Sequence, residues 1–111
     1  MISLESLKNF GANVEEGLTR CMNNEEFYIM LVNKVLGDNK LDLLEQQISE
    51  KNLDAAFETA HALKGMYANL SLDPITKPVV EITELLRSRS DVDYTALVAE
   101  AKTQFKKLTG L

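Results

Sequence analysis

The C-terminal part of this 111-residue chain repeats apolar residues at the spacing of an α-helix, and this feature constrains the fold most strongly. The repeat follows the i, i+3, i+4, i+7 series through Tyr94, Leu97, Val98, Ala101, Phe105 and Leu108. Asp93 is a suitable N-cap before it and Gly110 lies where such a helix would stop, which predicts a helix over residues 93–109. The chain has five glycines, two prolines and few β-branched residues, so helix is expected elsewhere too.

A helix that is apolar around most of its circumference is predicted over residues 24–36. Asn23 followed by Glu26 resembles a capping box that would open it. A helix of this kind packs against more than one neighbour or leaves an apolar strip for a partner. After a break at residues 37–39, helical spacing resumes and continues to about Glu50.

A long helix over residues 53–71 is predicted next, with Asn52 as its cap residue. Asp73-Pro74 begins another unit. Because Pro78 lacks an amide proton and would clash deep inside a helix, we expect a turn before it and regular helix over about 78–88.

Together these segments predict an all-α fold, an up-and-down antiparallel four-helix bundle. Short N-terminal helices, split near Gly11, would cap one end of the bundle. The short connections favour antiparallel neighbours. We expect residues 1–111 to form a single domain of this kind, and the protein to be a monomer.

Composition excludes several classes of function. Twelve Lys and Arg against seventeen Asp and Glu give a net charge of −5, without the clustered positive charge that nucleic-acid binding needs. A single cysteine, Cys21, and a single histidine, His61, exclude a disulfide framework and a two-His metal site. The longest apolar run, residues 27–32, is too short to span a bilayer, and residues 1–5 do not read as a signal peptide. We therefore expect a cytoplasmic protein that binds no nucleic acid, membrane, metal or cofactor.

The helix over residues 53–71 carries the most informative side chains. At about 100° per residue its core face comprises Leu53, Ala56, Phe57, Ala60, Leu63, Tyr67 and Leu70. His61 lies roughly 130° from the centre of that face and is predicted to point outward. An exposed imidazole is mostly unprotonated at pH 7 and can act as a nucleophile.

Three neighbours of His61 indicate what it could do. Lys64, one turn later, could reach a negative group carried by the ring. Gly65 lowers the stability of an exposed helix by about 1 kcal/mol relative to alanine. We interpret it as leaving space beside His61 for another protein, and Ala68 as keeping the next turn free of a bulky side chain. No general base, oxyanion hole or glycine-rich phosphate loop accompanies His61, so we expect a group carrier rather than an enzyme. Phosphoryl is the natural group, because its transfer depends mainly on positioning and charge neutralisation.

Residues 61–65 (His-Ala-Leu-Lys-Gly), followed by Asn69-Leu70, resemble the H-x-L-K-G signature of histidine-containing phosphotransfer (HPt) domains. The resemblance extends over almost the whole chain. It implies that His61 is the phosphorylated residue, that Lys64 supports the phosphoryl group and that Gly65 gives steric room. The implied partners are receiver domains of response regulators or hybrid kinases, which carry the phosphorylatable aspartate and Mg²⁺. The chain would then pass a phosphoryl group from one receiver to another in a two-component system.

Two features depart from the family pattern. Ser71 stands where many members have glycine, although serine is also small. Glu58 and Thr59 precede His61 where many members carry basic residues, so that Lys64 is the only cation expected close to His61.

The alternative function is a helical adaptor that binds a partner through the apolar strip of residues 24–36, with His61 unmodified. At the residue level, Gly65 could instead be a helix–helix contact. Lys64 could instead form an ion pair with carboxylates near Glu58.

Overall fold

A computed structural model describes residues 2–111, which fold into seven helices joined by short turns and loops. The helices are α1 (Leu4–Phe10), α2 (Val14–Arg20), α3 (Glu25–Leu36), α4 (Lys40–Ser49), α5 (Leu53–Asn69), α6 (Asp73–Arg87) and α7 (Thr95–Thr109). No residue among 2–111 lies in a β-strand, so the predicted all-α class is confirmed. None of the helices in this range is long and apolar enough to cross a membrane.

Helices α4 to α7 pack in a ring, in which α5 contacts α4 and α6, and α7 contacts α6 and α4. The N-terminal helices lie against this ring, since α1 and α3 each pack on α2 and on α7. The buried side chains form one core, whose largest fully buried members include Tyr28, Tyr67, Leu7, Leu41, Leu44, Leu63, Leu72, Ile75 and Ile82. Because α5 has a helix on each side, its inner face is buried and its outer face meets solvent.

Helix α6 differs from the prediction, because Pro78 lies inside it. The expected turn before Pro78 is wrong, since the helix begins at Asp73 and has Pro74 in its first turn. A proline inside a helix removes a hydrogen bond and costs about 3 kcal/mol. Burial of several large side chains, each contributing about 1.5–3 kcal/mol, outweighs this cost. The buried stripe consists of Ile75, Pro78, Val79, Ile82 and Leu86.

Two helices begin later than predicted. The cap residue of α3 is Asn24, whose side-chain oxygen accepts a hydrogen bond from the Phe27 N–H at 3.1 Å. Asn23 has a left-handed backbone, with φ 57°, and so belongs to the preceding turn. Helix α7 begins at Thr95, and the Asp93 carboxylate accepts a hydrogen bond from the Thr95 N–H at 2.9 Å. Hydrogen bonding from Thr95 lowers the pKa of Asp93.

The predicted split of the N-terminal part is confirmed at Gly11, which ends α1 with φ 114°. Helix α2 then packs against α3 through Gly17, where a Cβ atom would come within 2.6 Å of the Tyr28 ring. The Tyr28 hydroxyl donates a hydrogen bond to the Leu70 carbonyl at 2.8 Å. Burial raises the pKa of Tyr28 to about 12. The absence of a side chain at Gly17 thus lets the Tyr28 ring reach the end of α5.

Candidate functional site

Helix α5 carries the candidate site, and Asn52 fixes its start. The Asn52 side-chain oxygen accepts a hydrogen bond from the Ala55 N–H at 3.3 Å, which confirms Asn52 as the cap residue. The helix ends at Asn69 rather than at residue 71, because Ser71 has a left-handed backbone with φ 54°. Its fully buried side chains share one face, and they are Ala56, Ala60, Leu63 and Tyr67.

His61 lies outside that buried face and is exposed, as its helical position predicts. Within residues 2–111, its ring takes part in no hydrogen bond and no ion pair. Both ring nitrogens are therefore available to a molecule that approaches from solvent. A neutral imidazole in this state can attack an electrophile through its unprotonated nitrogen.

The surface next to His61 is open at Gly65. A Cβ atom added to Gly65 would meet no other atom within 4 Å, so Gly65 is not a helix–helix contact. Ala68, one turn further along, is half-buried and has a methyl side chain only. Its carbonyl accepts a hydrogen bond from Nη1 of Arg20 at 2.5 Å, which ties α2 to the end of α5. The strip from His61 to Ala68 therefore presents little bulk to an approaching surface.

Lys64 is half-buried and, among residues 2–111, has no ion-pair partner. The alternative pairing with carboxylates near Glu58 is not observed. Helical geometry places Lys64 about 4.5 Å further along the axis than His61, on a neighbouring part of the surface. No carboxylate of the described residues pairs with its ammonium.

Phe57, which its helical position places on the core face, is also a feature of the site. It packs only partly against the core, and its ring stacks on the ring of His61. The ring centroids are 5.7 Å apart and the planes differ by 24°. The separation of four residues puts the two side chains side by side on a helix, so this spacing was the available signal for the contact.

Two arginines from outside α5 approach the same ring. Arg87, the last residue of α6, and Arg89, in the turn that follows, place their guanidinium carbons 5.2 and 5.0 Å from the Phe57 ring centroid. Two cations besides Lys64 therefore contact the ring that stacks on His61. Nothing in the sequence connects these arginines with His61, because the packing of α6 on α5 brings them there.

Helix α3 leaves part of its apolar surface uncovered, which is one of the two outcomes predicted for it. Met30 is 55% exposed and Phe27 is 37% exposed. A groove of about 350 Å³ runs between α3 and the second half of α5. Its walls consist of Leu31, Lys34, Val35, Asp38, Met66, Asn69 and Leu70.

The other reactive side chains of the chain are inside the core. Cys21 is free and buried, in agreement with its interpretation as a small apolar residue. Tyr67 lies on the buried face of α5, and burial raises the pKa of its phenol well above the ordinary value. Within residues 2–111, no group of three or more His, Cys, Asp or Glu side chains is arranged to hold a metal ion.

Comparison with known proteins gave one match. A family model described as Hpt domain matches residues 36–109, which cover α4 to α7 and therefore His61, Lys64, Gly65 and Ala68. No curated protein and no solved structure matches the chain.

Proposed function

The chain belongs to the Hpt domain family, and from this premise we propose that His61 carries a phosphoryl group between receiver domains in a phosphorelay. The donor would be the aspartyl phosphate of one receiver and the acceptor the aspartate of a second. The observation that supports His61 most directly is its exposed ring, which is unbonded within residues 2–111, beside the open surface at Gly65.

The transfer step requires only the imidazole of His61, the aspartyl phosphate of the receiver and the Mg²⁺ that the receiver would hold. The unprotonated nitrogen of His61 attacks phosphorus, and an N–P bond forms as the P–O bond of the aspartyl phosphate breaks. The bonding electrons remain on the aspartate oxygen, while the second ring nitrogen keeps its proton. Mg²⁺ held by the receiver would neutralise charge during the transfer, so the chain needs no cofactor of its own. It acts as a carrier and leaves the catalytic metal site to its partner.

Lys64 would stabilise the phosphorylated form. An ammonium about 4 Å from one phosphoryl charge gains about 1 kcal/mol in water and up to about 4 kcal/mol near a protein surface. A gain of this size shifts the transfer equilibrium without making the phosphohistidine too stable to pass on. The absence of another ion-pair partner for Lys64 within residues 2–111 supports this role.

Gly65 and Ala68 would provide steric access for the receiver, and the groove between α3 and α5 would extend the contact. A receiver must bring its aspartate within bonding distance of the imidazole, which requires a low surface around it. The open space at Gly65 and the apolar walls of the groove, Leu31, Val35 and Met66, are suited to such docking.

We further propose that the α4–α7 ring is an up-and-down antiparallel four-helix bundle, with the N-terminal helices as its cap. The ring of contacts and the short connections support this arrangement. Residues 1–111 would then form a single domain that acts as a monomer.

The proposal is tested by labelling. The protein is mixed with a panel of receiver domains loaded with radiolabelled phosphoryl groups, in parallel with the variant His61→Gln. Label should enter the wild-type protein, should be labile in acid and stable in base, and should be absent from the variant. Labelling of the variant would refute the assignment. Receiver binding without any labelling, and unchanged in the variant, would favour the adaptor function.

A further inference from the structure

The ring of Phe57 stacks on the imidazole of His61. Centroids 5.7 Å apart and planes 24° from parallel correspond to an offset stack, a favourable arrangement for two aromatic rings. An imidazole stacked in this way has one face covered while its edge, with both nitrogens, stays exposed. An exposed side chain without such a contact exchanges freely among rotamers.

Arg89 holds the Phe57 ring from the other side of the helix interface. Its guanidinium carbon lies 5.0 Å from the ring centroid, within the range of a cation–π contact. The guanidinium is itself fixed, since Nε donates to Oδ1 of Asp54 at 2.7 Å and Nη1 donates to the Leu86 carbonyl at 2.6 Å. Asp54 lies one turn before Phe57 on α5, so this ion pair joins the two helices next to the ring.

The backbone at Arg89 is left-handed, as it also is at Lys51 and Ser71, which end α4 and α5. Arg89 has φ 52° and ends α6 in a Schellman motif, in which its own N–H donates to Leu86 and the N–H of Ser90 donates to Leu85. Glycine is the usual residue at such a position, because other residues are strained there. Arginine at this position therefore costs backbone energy that glycine would avoid, while its side chain covers Phe57.

The charges of the two arginines are largely compensated by carboxylates. Arg89 is paired with Asp54, and Arg87 is paired with Glu84 at 3.0 Å. Exposed ion pairs of this kind exert only a weak electrostatic attraction on a more distant anion, particularly at physiological salt. The unpaired cation at the site is that of Lys64, at least within residues 2–111. The arrangement around Phe57 is thus suited to orienting a ring rather than to holding a phosphoryl group.

We infer that Phe57 is a positioning residue for His61, and that Arg89 keeps Phe57 in place. The inference rests on the proposed function of His61 as phosphoryl carrier. The stack limits the imidazole to one orientation before a receiver docks. The loss of side-chain conformational entropy that would otherwise accompany the transfer has then already occurred. Immobilising one side chain typically changes a rate about two- to tenfold.

The stack can be measured without any partner, because His61 is the single histidine of the chain and gives one set of imidazole resonances. In a ¹H–¹³C NMR spectrum of the unphosphorylated protein, ring current from Phe57 should shift the His61 ring protons upfield. In Phe57→Leu these signals should move to the positions of a free histidine, and in Phe57→Tyr they should stay shifted. Phe105→Leu removes a ring from α7 and serves as the control that leaves them unchanged.

Transfer from the receiver that labels the wild-type protein fastest provides the second measurement. Phe57→Leu should lower the rate at saturating receiver about two- to tenfold, with receiver affinity unchanged and with the wild-type rate restored in Phe57→Tyr. Arg89→Gly, which relieves the strained backbone, should keep the fold while moving the His61 signals part of the way. If circular dichroism shows that Phe57→Leu is unfolded, both the His61 resonances and the transfer rate are measured on Arg89→Gly instead.

Two results would overturn the inference: His61 resonances that do not respond to Phe57→Leu, or a wild-type transfer rate in a variant whose resonances have moved. Both are distinct from failure of the proposed function, which appears as label in His61→Gln or as no label in the wild-type protein.

Discussion

Two glycines inside helices of this chain have opposite surroundings. At Gly17 in α2, an added Cβ atom would come within 2.6 Å of the Tyr28 ring, whereas at Gly65 in α5 it would meet nothing within 4 Å. Both residues lower the intrinsic stability of their helices by about 1 kcal/mol relative to alanine. The first admits a ring of the same chain, and the second lies on an open surface, which we propose a receiver domain approaches. A helical glycine therefore marks a place of close approach, and the packing decides whether the approaching group is internal or external.

The largest effect is expected when the space at Gly17 is filled. Gly17→Leu should lower the free energy of unfolding by about 3 kcal/mol or more, because the new side chain displaces Tyr28 and breaks its hydrogen bond to Leu70. Urea denaturation measures this change. The matched control is Gly65→Leu, the same substitution on an open surface, which should not destabilise the protein. Equal losses at the two positions would remove the distinction between them.

The second effect concerns transfer rather than stability. Gly65→Leu should slow phosphoryl transfer from a receiver about tenfold or more, because the side chain stands between the two protein surfaces next to His61. Phosphoramidate, a small phosphoryl donor that needs no protein docking, should label Gly65→Leu at close to the wild-type rate. Equal slowing with both donors would contradict the role of Gly65 in access.

The third and smaller effect concerns the hydroxyl group of Tyr28, whose ring occupies the space at Gly17. Tyr28→Phe should lower the free energy of unfolding by about 1 kcal/mol, because the Leu70 carbonyl loses its donor. The pKa of Tyr28 is raised from 10.0 to about 12, so its neutral phenol stabilises the fold fully below about pH 10 and progressively less as the pH rises towards 12. Wild-type stability should thus decrease more steeply over this range than that of Tyr28→Phe. Parallel curves in urea denaturation at several pH values would argue against a buried phenol at Gly17.

The smallest effect has opposite signs at the two glycines. Gly65→Ala should raise the free energy of unfolding by up to about 1 kcal/mol, since alanine has the higher helix propensity and the methyl group meets no atom. Gly17→Ala should lower it, because the methyl group overlaps the Tyr28 ring. Thermal unfolding of both variants under one set of conditions checks the signs. Stabilisation by both substitutions would show that Tyr28 can move aside.

Much of the candidate site could be predicted because it lies within one helix. The cap at Asn52, the exposure of His61 and the neighbouring positions of Lys64 and Gly65 all follow from local rules of helix geometry. Their functional roles remain proposals. The approach of Arg87 and Arg89 to Phe57 depends on how α6 packs against α5, which no local spacing encodes.

The errors in the fold have the same origin. Local rules predict that Pro78 begins a helix, but the burial of Ile75 on the preceding turn extends α6 back to Asp73. Likewise, the sequence gives no reason for glycine at position 17, because Tyr28 reaches it from another helix. Tertiary contacts of this kind outweigh a local preference of a few kcal/mol, so predictions are least secure where helices cross.

The hydrogen bonds at the end of α5 determine how far the chain can be shortened. The carbonyls of Ala68, Leu70 and Ser71 accept hydrogen bonds from Arg20, Tyr28 and Asn13, all of which precede the segment matched by the family. A fragment trimmed to residues 36–109 would lose these donors and would expose apolar surface that the N-terminal helices cover. We therefore expect the minimal excised fragment to be aggregation-prone, and a fragment made for expression should retain α1 to α3.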